Sequence, residues 1–214
     1  MTLLKLPHTQ VTLLQTLDDQ KLVYALTVDA YHRMIEEGVL PEGEPFELIQ
    51  GQILRKERQG QGEDPMTVGH KHAVAVNGLS LLNPKLIKRD CHMRVQQPIT
   101  LPPYNEPEPD GVVVVGRNDD YVDHHPAAKE VLCVIEVSEA TLEHDRTNKQ
   151  QIYASAGIKQ YLIINLVDQV VEVYTQPITE SGRYGQTVTL TERQQVTLMV
   201  GKKGLMVPAK RLLA

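Results

Sequence analysis

The sequence predicts an α/β fold with a mixed central β-sheet flanked by helices, and three observations carry that reading. First, Gly111–Val115 and Val131–Val137 are apolar almost without interruption, the pattern of strands covered by helices on both faces. Second, Asp145–Ala156 reads as a helix following the second run, with Gly157 placed to end it at C′. Third, the chain has 214 residues, enough for one large domain or two small ones, since single domains commonly hold roughly 100–200. The division read from the sequence is an N-terminal extension over residues 1–26 and a single domain over 27–214.

The elements follow in order. Residues 1–25 alternate short apolar and polar runs without a period, as an extension packed on the body would. Thr27–Gly38 reads as a helix: Thr27 can cap it, Tyr31, Met34 and Ile35 share a face, and Gly38 ends it. Phe46–Ile49 and Gln52–Leu54 flank Gln50-Gly51 as a hairpin. Residues 57–69 are polar, with three Gly and one Pro, and read as a loop. A second helix is expected from Lys71 to Leu82, stopped before Pro84. Cys91–Leu101 has strand character up to Pro102-Pro103, and a loop rich in Pro and Glu runs to Pro109. Beyond the central helix, Tyr161–Leu166 and Val170–Tyr174 form a hairpin around Val167-Asp168-Gln169. The tail is β-rich and ends with Lys202, Lys203, Lys210 and Arg211.

Composition narrows the function. At 41% hydrophobic and 23% charged residues, the chain is an ordinary globular one. Two cysteines, Cys91 and Cys133, are too few for a disulfide framework and suit a reducing compartment. No stretch approaches the ~20 apolar residues of a membrane span, and the N-terminus lacks a signal core, so the expectation is a cytoplasmic protein without a membrane partner. The net charge is −5, and the aromatic set is eight Tyr, one Phe and no Trp. Both counts weigh against a dedicated stacking protein or a broadly basic DNA-binding domain. No P-loop, dinucleotide fingerprint or nucleophile elbow is present. His70-Lys71-His72, Cys91-His92 and His124-His125 lack the spacing of a zinc site.

The informative residue is Glu136, inside Leu132-Cys133-Val134-Ile135-Glu136-Val137-Ser138. A carboxylate in so apolar a run must be paired, protonated or metal-bound, because an isolated buried charge is very costly. Asp110 opens the neighbouring run after Pro109. Carboxylates near the ends of adjacent strands can converge on one hard cation such as Mg²⁺. Each has a plainer alternative, an ion pair for Glu136 and an Asx turn for Asp110. Lys149 and Tyr153 are four apart and share a helix face, which could aim the ammonium toward Glu136, although a helical lysine is ordinarily just solvated.

These residues resemble the metal-nuclease constellation written PD-(D/E)XK. More specifically, the chain is similar to a family of restriction endonuclease-like proteins, the Uma-two type. The similar segments are Phe46–Gly51, Val68-Gly69 with His72 and Ala73, Val95–Ile99, Glu106–Asp110, Val134–Ser138, and Asp145-Arg146 with Lys149, Tyr153, Ala154, Gly157-Ile158 and Tyr161. Together they span roughly residues 27–212. The resemblance implies a restriction endonuclease-like core with an extra N-terminal helix and hairpin and a β-rich tail. It also implies a site in which Asp110 and Glu136 hold Mg²⁺ or Mn²⁺ with the backbone carbonyl of Val137. Lys149 becomes the catalytic lysine, Glu47 an additional acidic residue, and His72, Gln96 and Tyr153 accessory neighbours. Two departures stand out. Ser138 occupies the position two after Glu136 where the wider superfamily has Lys, so the lysine role moves to Lys149. Lys159-Gln160-Tyr161-Leu162 replaces the family's Pro-Glu-Tyr-Trp.

The implied activity is divalent-metal-dependent hydrolysis of phosphodiester bonds in nucleic acid, with DNA the expected substrate and a homodimer the expected assembly. The alternatives are a nuclease fold that binds nucleic acid or a protein partner without cutting, and hydrolysis of a small phosphodiester. Pairing of Glu136 with Arg146 would favour the non-cutting fold. Basic clusters at Arg55-Lys56 with Arg58, at Lys85 with Lys88-Arg89, and at the C-terminus could supply a local groove, making contacts mainly to the backbone.

Overall fold

The computed structural model describes residues 24–41, 43–55, 69–201 and 204–213. Most of the N-terminal extension expected over 1–26, and the loop expected over 57–69 apart from Gly69, lie outside them. The chain forms two compact units, one drawn from Met1–Lys56 and Leu101–Pro107, the other from Glu57–Thr100 and Glu108–Ala214.

In the first unit, α1 (Val28–Glu36) begins where expected: the Thr27 hydroxyl accepts the Ala30 N–H at 3.2 Å. β1 (Phe46–Ile49) and β2 (Gln52–Arg55) pair antiparallel with Ile49 opposite Gln52. Gln50 and Gly51 both take positive φ, 51° and 77°, as a two-residue hairpin turn of the primed type requires. Gly51 is needed for a second reason, since a Cβ there would meet that of Ala25 at 2.7 Å. Val28, Tyr31 and Leu48 form the small core. Glu106 bridges back to Leu48, and its carboxylate meets His32 Nε2 at 2.7 Å.

The second unit is built on six strands in the order β3 (Cys91–Val95), β4 (Gly111–Val115), β5 (Val131–Ser138), β6 (Gln160–Asn165), β7 (Val170–Ile178) and β8 (Arg183–Thr191). Only the β5–β6 pair is parallel, so the sheet is mixed as the sequence predicts. A parallel pair needs a long crossover. It is supplied by α4 (Leu142–His144), a π-helical turn (Asp145–Lys149) and α5 (Gln150–Ser155).

Alternation along the strands sorts two faces. Met93, Val113, Cys133, Ile135, Val137, Leu162 and Ile164 point into one core. They share it with α2 (His70–Ser80), α3 (Asn83–Leu86) and the hairpin of β9 (Gln195–Leu198) and β10 (Leu205–Pro208). On the opposite face Tyr153 of α5 packs on Tyr161 at 5.0 Å between ring centroids, and Tyr174 and Tyr184 continue the stack.

Three local expectations are corrected. Pro84 does not follow a helix ending at Leu82; α2 stops at Ser80, and Pro84 sits in the first turn of α3, where its missing N–H costs nothing. The strand expected over Cys91–Leu101 ends at Val95, because Gln96 turns the chain with φ of 49°. The central helix starts three residues before Asp145 and carries the π turn. Among the described residues, no helix is long and apolar enough to cross a membrane.

Candidate active site

The site lies where β4 and β5 pair. Gly111 stands opposite Ile135, which sets Asp110, just before β4, against Glu136 and Val137. Both carboxylates are about one-twentieth exposed. Asp110 Oδ2 accepts the Val137 N–H at 2.9 Å, and Glu136 Oε2 accepts the Asp110 N–H at 3.3 Å. Each acid thus holds the backbone beside the other, and the Asx-turn alternative for Asp110 gives way to a cross-strand contact. Gly111 makes this corner close: a Cβ there would lie 2.6 Å from Leu79 Cδ1 on α2.

The helix start and the turn after β3 add neighbours. His72, in the first turn of α2, brings Nε2 to 3.2 Å from Asp110 Oδ2. Gln96 donates its backbone N–H to the Asp110 carbonyl at 3.2 Å, and its amide lies 3.5 Å from Oδ1. From the opposite side, the Tyr153 hydroxyl donates to Glu136 Oε1 at 2.7 Å, and Lys149 Nζ stands 3.8 Å from the same oxygen. Lys149 is buried, so the reading of a merely solvated lysine is excluded. The shared face of residues four apart therefore meets Glu136 as spacing suggests.

Sequence reasoning missed what anchors Lys149. Asp145, on the π turn and 4% exposed, accepts from Ser138 Oγ at 2.6 Å and Thr141 Oγ1 at 2.7 Å. Burial pushes its carboxyl up, while these two hydroxyls and the Lys149 charge pull it back. Tyr161 clamps the same turn by donating to the Asp145 carbonyl at 3.0 Å. Arg146 turns away from the site and forks onto Glu172, with Nε 3.1 Å and Nη2 2.5 Å from its two oxygens. Burial alone would raise the Glu172 carboxyl, but Arg146, Tyr174 and Asn165 outweigh it and hold it below its usual range. The Glu136–Arg146 pairing that would fill the site is absent, since Arg146 is committed elsewhere. The clue to Asp145 was in the sequence as an Asp four residues before Lys149; nothing in it linked Arg146 to Glu172.

The structure therefore gathers Asp110, Glu136, Val137, Lys149, Tyr153, His72 and Gln96 in one unit. Glu47 lies on β1 of the other unit and is buried there. Among the described residues, no three His, Cys, Asp or Glu side chains form a ready metal cluster.

Comparison with known proteins agrees with this architecture. No curated protein matches the chain in sequence. Its fold is similar to the crystal structure of a "putative nuclease belonging to DUF820" from Anabaena variabilis, at 20% identity and a TM-score of 0.63, covering 87% of this chain and 97% of that one. The fold is accordingly restriction endonuclease-like. The family model Uma2, described as "Putative restriction endonuclease", matches residues 28–208, and the chain belongs to that family.

Proposed function

We propose that the protein is a divalent-metal-dependent nuclease that hydrolyses phosphodiester bonds of nucleic acid, with DNA as substrate. The observation that carries this reading is the convergence of three buried ionisable side chains, Asp110 just before β4, Glu136 on β5, and Lys149 with Nζ 3.8 Å from Glu136 Oε1. Buried charges at this density are costly unless they serve one another or a ligand.

The donor set fits Mg²⁺ or Mn²⁺. Asp110, Glu136 and the Val137 carbonyl are hard oxygen donors, and Mg²⁺ is held by one or two carboxylates while keeping several waters. Bound there, the cation would polarise the phosphate and lower the pKa of a bound water.

The chain's own residues supply the rest. Tyr153 fixes the Glu136 carboxylate through Oε1. His72 and Gln96 restrain the Asp110 carboxylate. Lys149, held on the turn that Asp145 anchors, would orient the attacking water or offset charge on the phosphoryl oxygens. Glu47 is assigned, from the family resemblance, to a supporting acidic role.

The test is cleavage of single- and double-stranded DNA with Mg²⁺ or Mn²⁺, comparing wild type with Asp110→Ala and Lys149→Ala. Metal-dependent cutting lost in both variants supports the assignment. Full activity in Asp110→Ala overturns it, and wild type that binds DNA without cutting assigns a non-catalytic nuclease fold.

A further inference from the structure

A second polar cluster lies on the same sheet face as the acids. On β3, Cys91 and Met93 enter the large core, so His92 and Arg94 face the other way. On β5, Ile135 and Val137 enter that core, so Glu136 shares the face of Arg94. Arg94 stands opposite Val112, two residues beyond Asp110, which is about 7 Å along the strand.

Arg94 is 7% exposed, yet among the described residues its guanidinium makes no hydrogen bond and no ion pair, and Nε is sealed from solvent. A buried arginine without an anion is among the costlier things a protein can hold. Its environment offsets that cost only in part, with an aromatic ring in place of a counter-ion. The Tyr121 ring lies beneath it, 5.5 Å from Cζ, and the Tyr121 hydroxyl is committed to the Val115 carbonyl. The acids whose charge reaches Tyr121, Asp120 and Glu130, make no ion pair with Arg94; Asp120 takes the Arg117 N–H, and Glu130 takes the Ala127 N–H. Burial draws the Arg94 pKa down, as expected for a charge lacking a counter-ion.

His92 repeats the pattern. Its Nδ1–H donates to the Gly116 carbonyl at 3.0 Å, and Nε2 is buried without a partner. Its ring lies 5.7 Å from that of Tyr121. One aromatic ring therefore carries two neighbours with unmet polar atoms, and the charge among them is positive.

We propose that Arg94 and His92, flanking Tyr121, form a phosphate-binding subsite that seats a backbone phosphate of the nucleic acid beside the one to be cut. A guanidinium presents a fork of donors matched to phosphate oxygens. His92 Nε2 can accept from a protonated phosphate oxygen, or donate to an ionised one when the ring is charged. The identity of the ligand rests on the nuclease reading; the anion site does not.

The test is run in EDTA, where cleavage cannot contribute. Inorganic phosphate is titrated into phosphate-free buffer while thermal unfolding is followed, with NaCl at matched ionic strength as control. Wild type is expected to gain stability with phosphate through selective binding to the folded state, and Arg94→Met to show no gain. Arg94→Met should itself melt no lower than wild type without phosphate, because it removes an unpaired buried charge. If that variant does not fold, His92→Gln is the substitute and should weaken the phosphate response. A short single-stranded oligonucleotide is then followed by fluorescence anisotropy. Inorganic phosphate should compete with it, and Arg94→Met should bind it about tenfold more weakly or worse. A wild type no more stabilised by phosphate than by NaCl overturns the site. A phosphate response that depends on Arg94, with unchanged oligonucleotide affinity, overturns the backbone assignment. Binding through Arg94 without cleavage in Mg²⁺ would leave the subsite standing and refute only the nuclease.

Discussion

Replacing Glu172 by Gln tests how the helix bearing Lys149 is tied to the sheet. The Glu172 carboxylate, 5% exposed, accepts from Arg146 Nε and Nη2, from Tyr174 Oη at 2.7 Å and from Asn165 Nδ2 at 3.0 Å. A glutamine of the same shape has one acceptor oxygen and turns an amide toward the remaining donors. Two charge-assisted bonds at about 1.5–3 kcal/mol each would give about 3–6 kcal/mol, in line with the 3–5 kcal/mol typical of breaking a buried pair. The Arg146 side chain is 38% exposed and regains water, and Tyr174 can rotate to accept, so about 2–3 kcal/mol remains. For a chain of this length that corresponds to a fall of roughly 4–12 °C in Tm. The sign with pH follows from the depressed carboxyl. Its stabilisation is present above the unfolded value of about 4.3 and is lost as pH falls through the lower folded value. Calorimetry of both proteins should show the full gap at pH 7 and convergence on acidification. Equal Tm values at pH 7, or a gap that persists at pH 2–3, would refute the assignment.

Three further outcomes follow from the same geometry. Gly111→Ala should cost about 1–3 kcal/mol by denaturant melts, because its Cβ meets Leu79 Cδ1 at 2.6 Å in a core where Leu79 is fully buried. Tyr153→Phe should cost about 1.5–3 kcal/mol by removing the 2.7 Å donor to buried Glu136, and unchanged stability would show that bond to be idle. Cys91 and Cys133 are free and buried, and burial pushes both thiols up. Native protein at pH 8 should therefore resist a disulfide reagent that labels both thiols on unfolding, and rapid labelling of Cys133 would contradict its placement.

The fold was most legible where one physical demand dominates the local sequence. Gly111–Val115 and Val131–Val137 are apolar at nearly every position because helices and a hairpin cover both faces, and a surface strand would have alternated. The Gln50-Gly51 hairpin was readable because only a few residue pairs accept two positive φ values in succession. Legibility failed where the chain departs from the preference of its residues. Nothing about Gln96 announces a φ of 49°, so the strand looked longer than it is; the turn exists because it brings the Gln96 N–H onto the Asp110 carbonyl. Glu172 escaped notice for a different reason. It sits in an ordinary strand, and its partner lies 26 residues away on a helix the sheet positions only after folding.

The site shows the same division, and Ser138 explains the placement of the lysine. On β5, the position two after Glu136 points to the same sheet face, the direct route for a lysine to reach the carboxylates. Here that position is fully buried, and its hydroxyl is spent at 2.6 Å on Asp145. A lysine there would have to seat a four-carbon chain and a charge where one hydroxyl fits, and it would unseat the anchor of the π turn. In the proposed site the ammonium comes from another element. The π turn supplies it: Asp145 fastens the turn to β5, and Lys149 reaches Glu136 from its last residue. On the proposed reading, a serine at this position leaves no gap in the site: it is the contact through which β5 positions Lys149 beside Glu136.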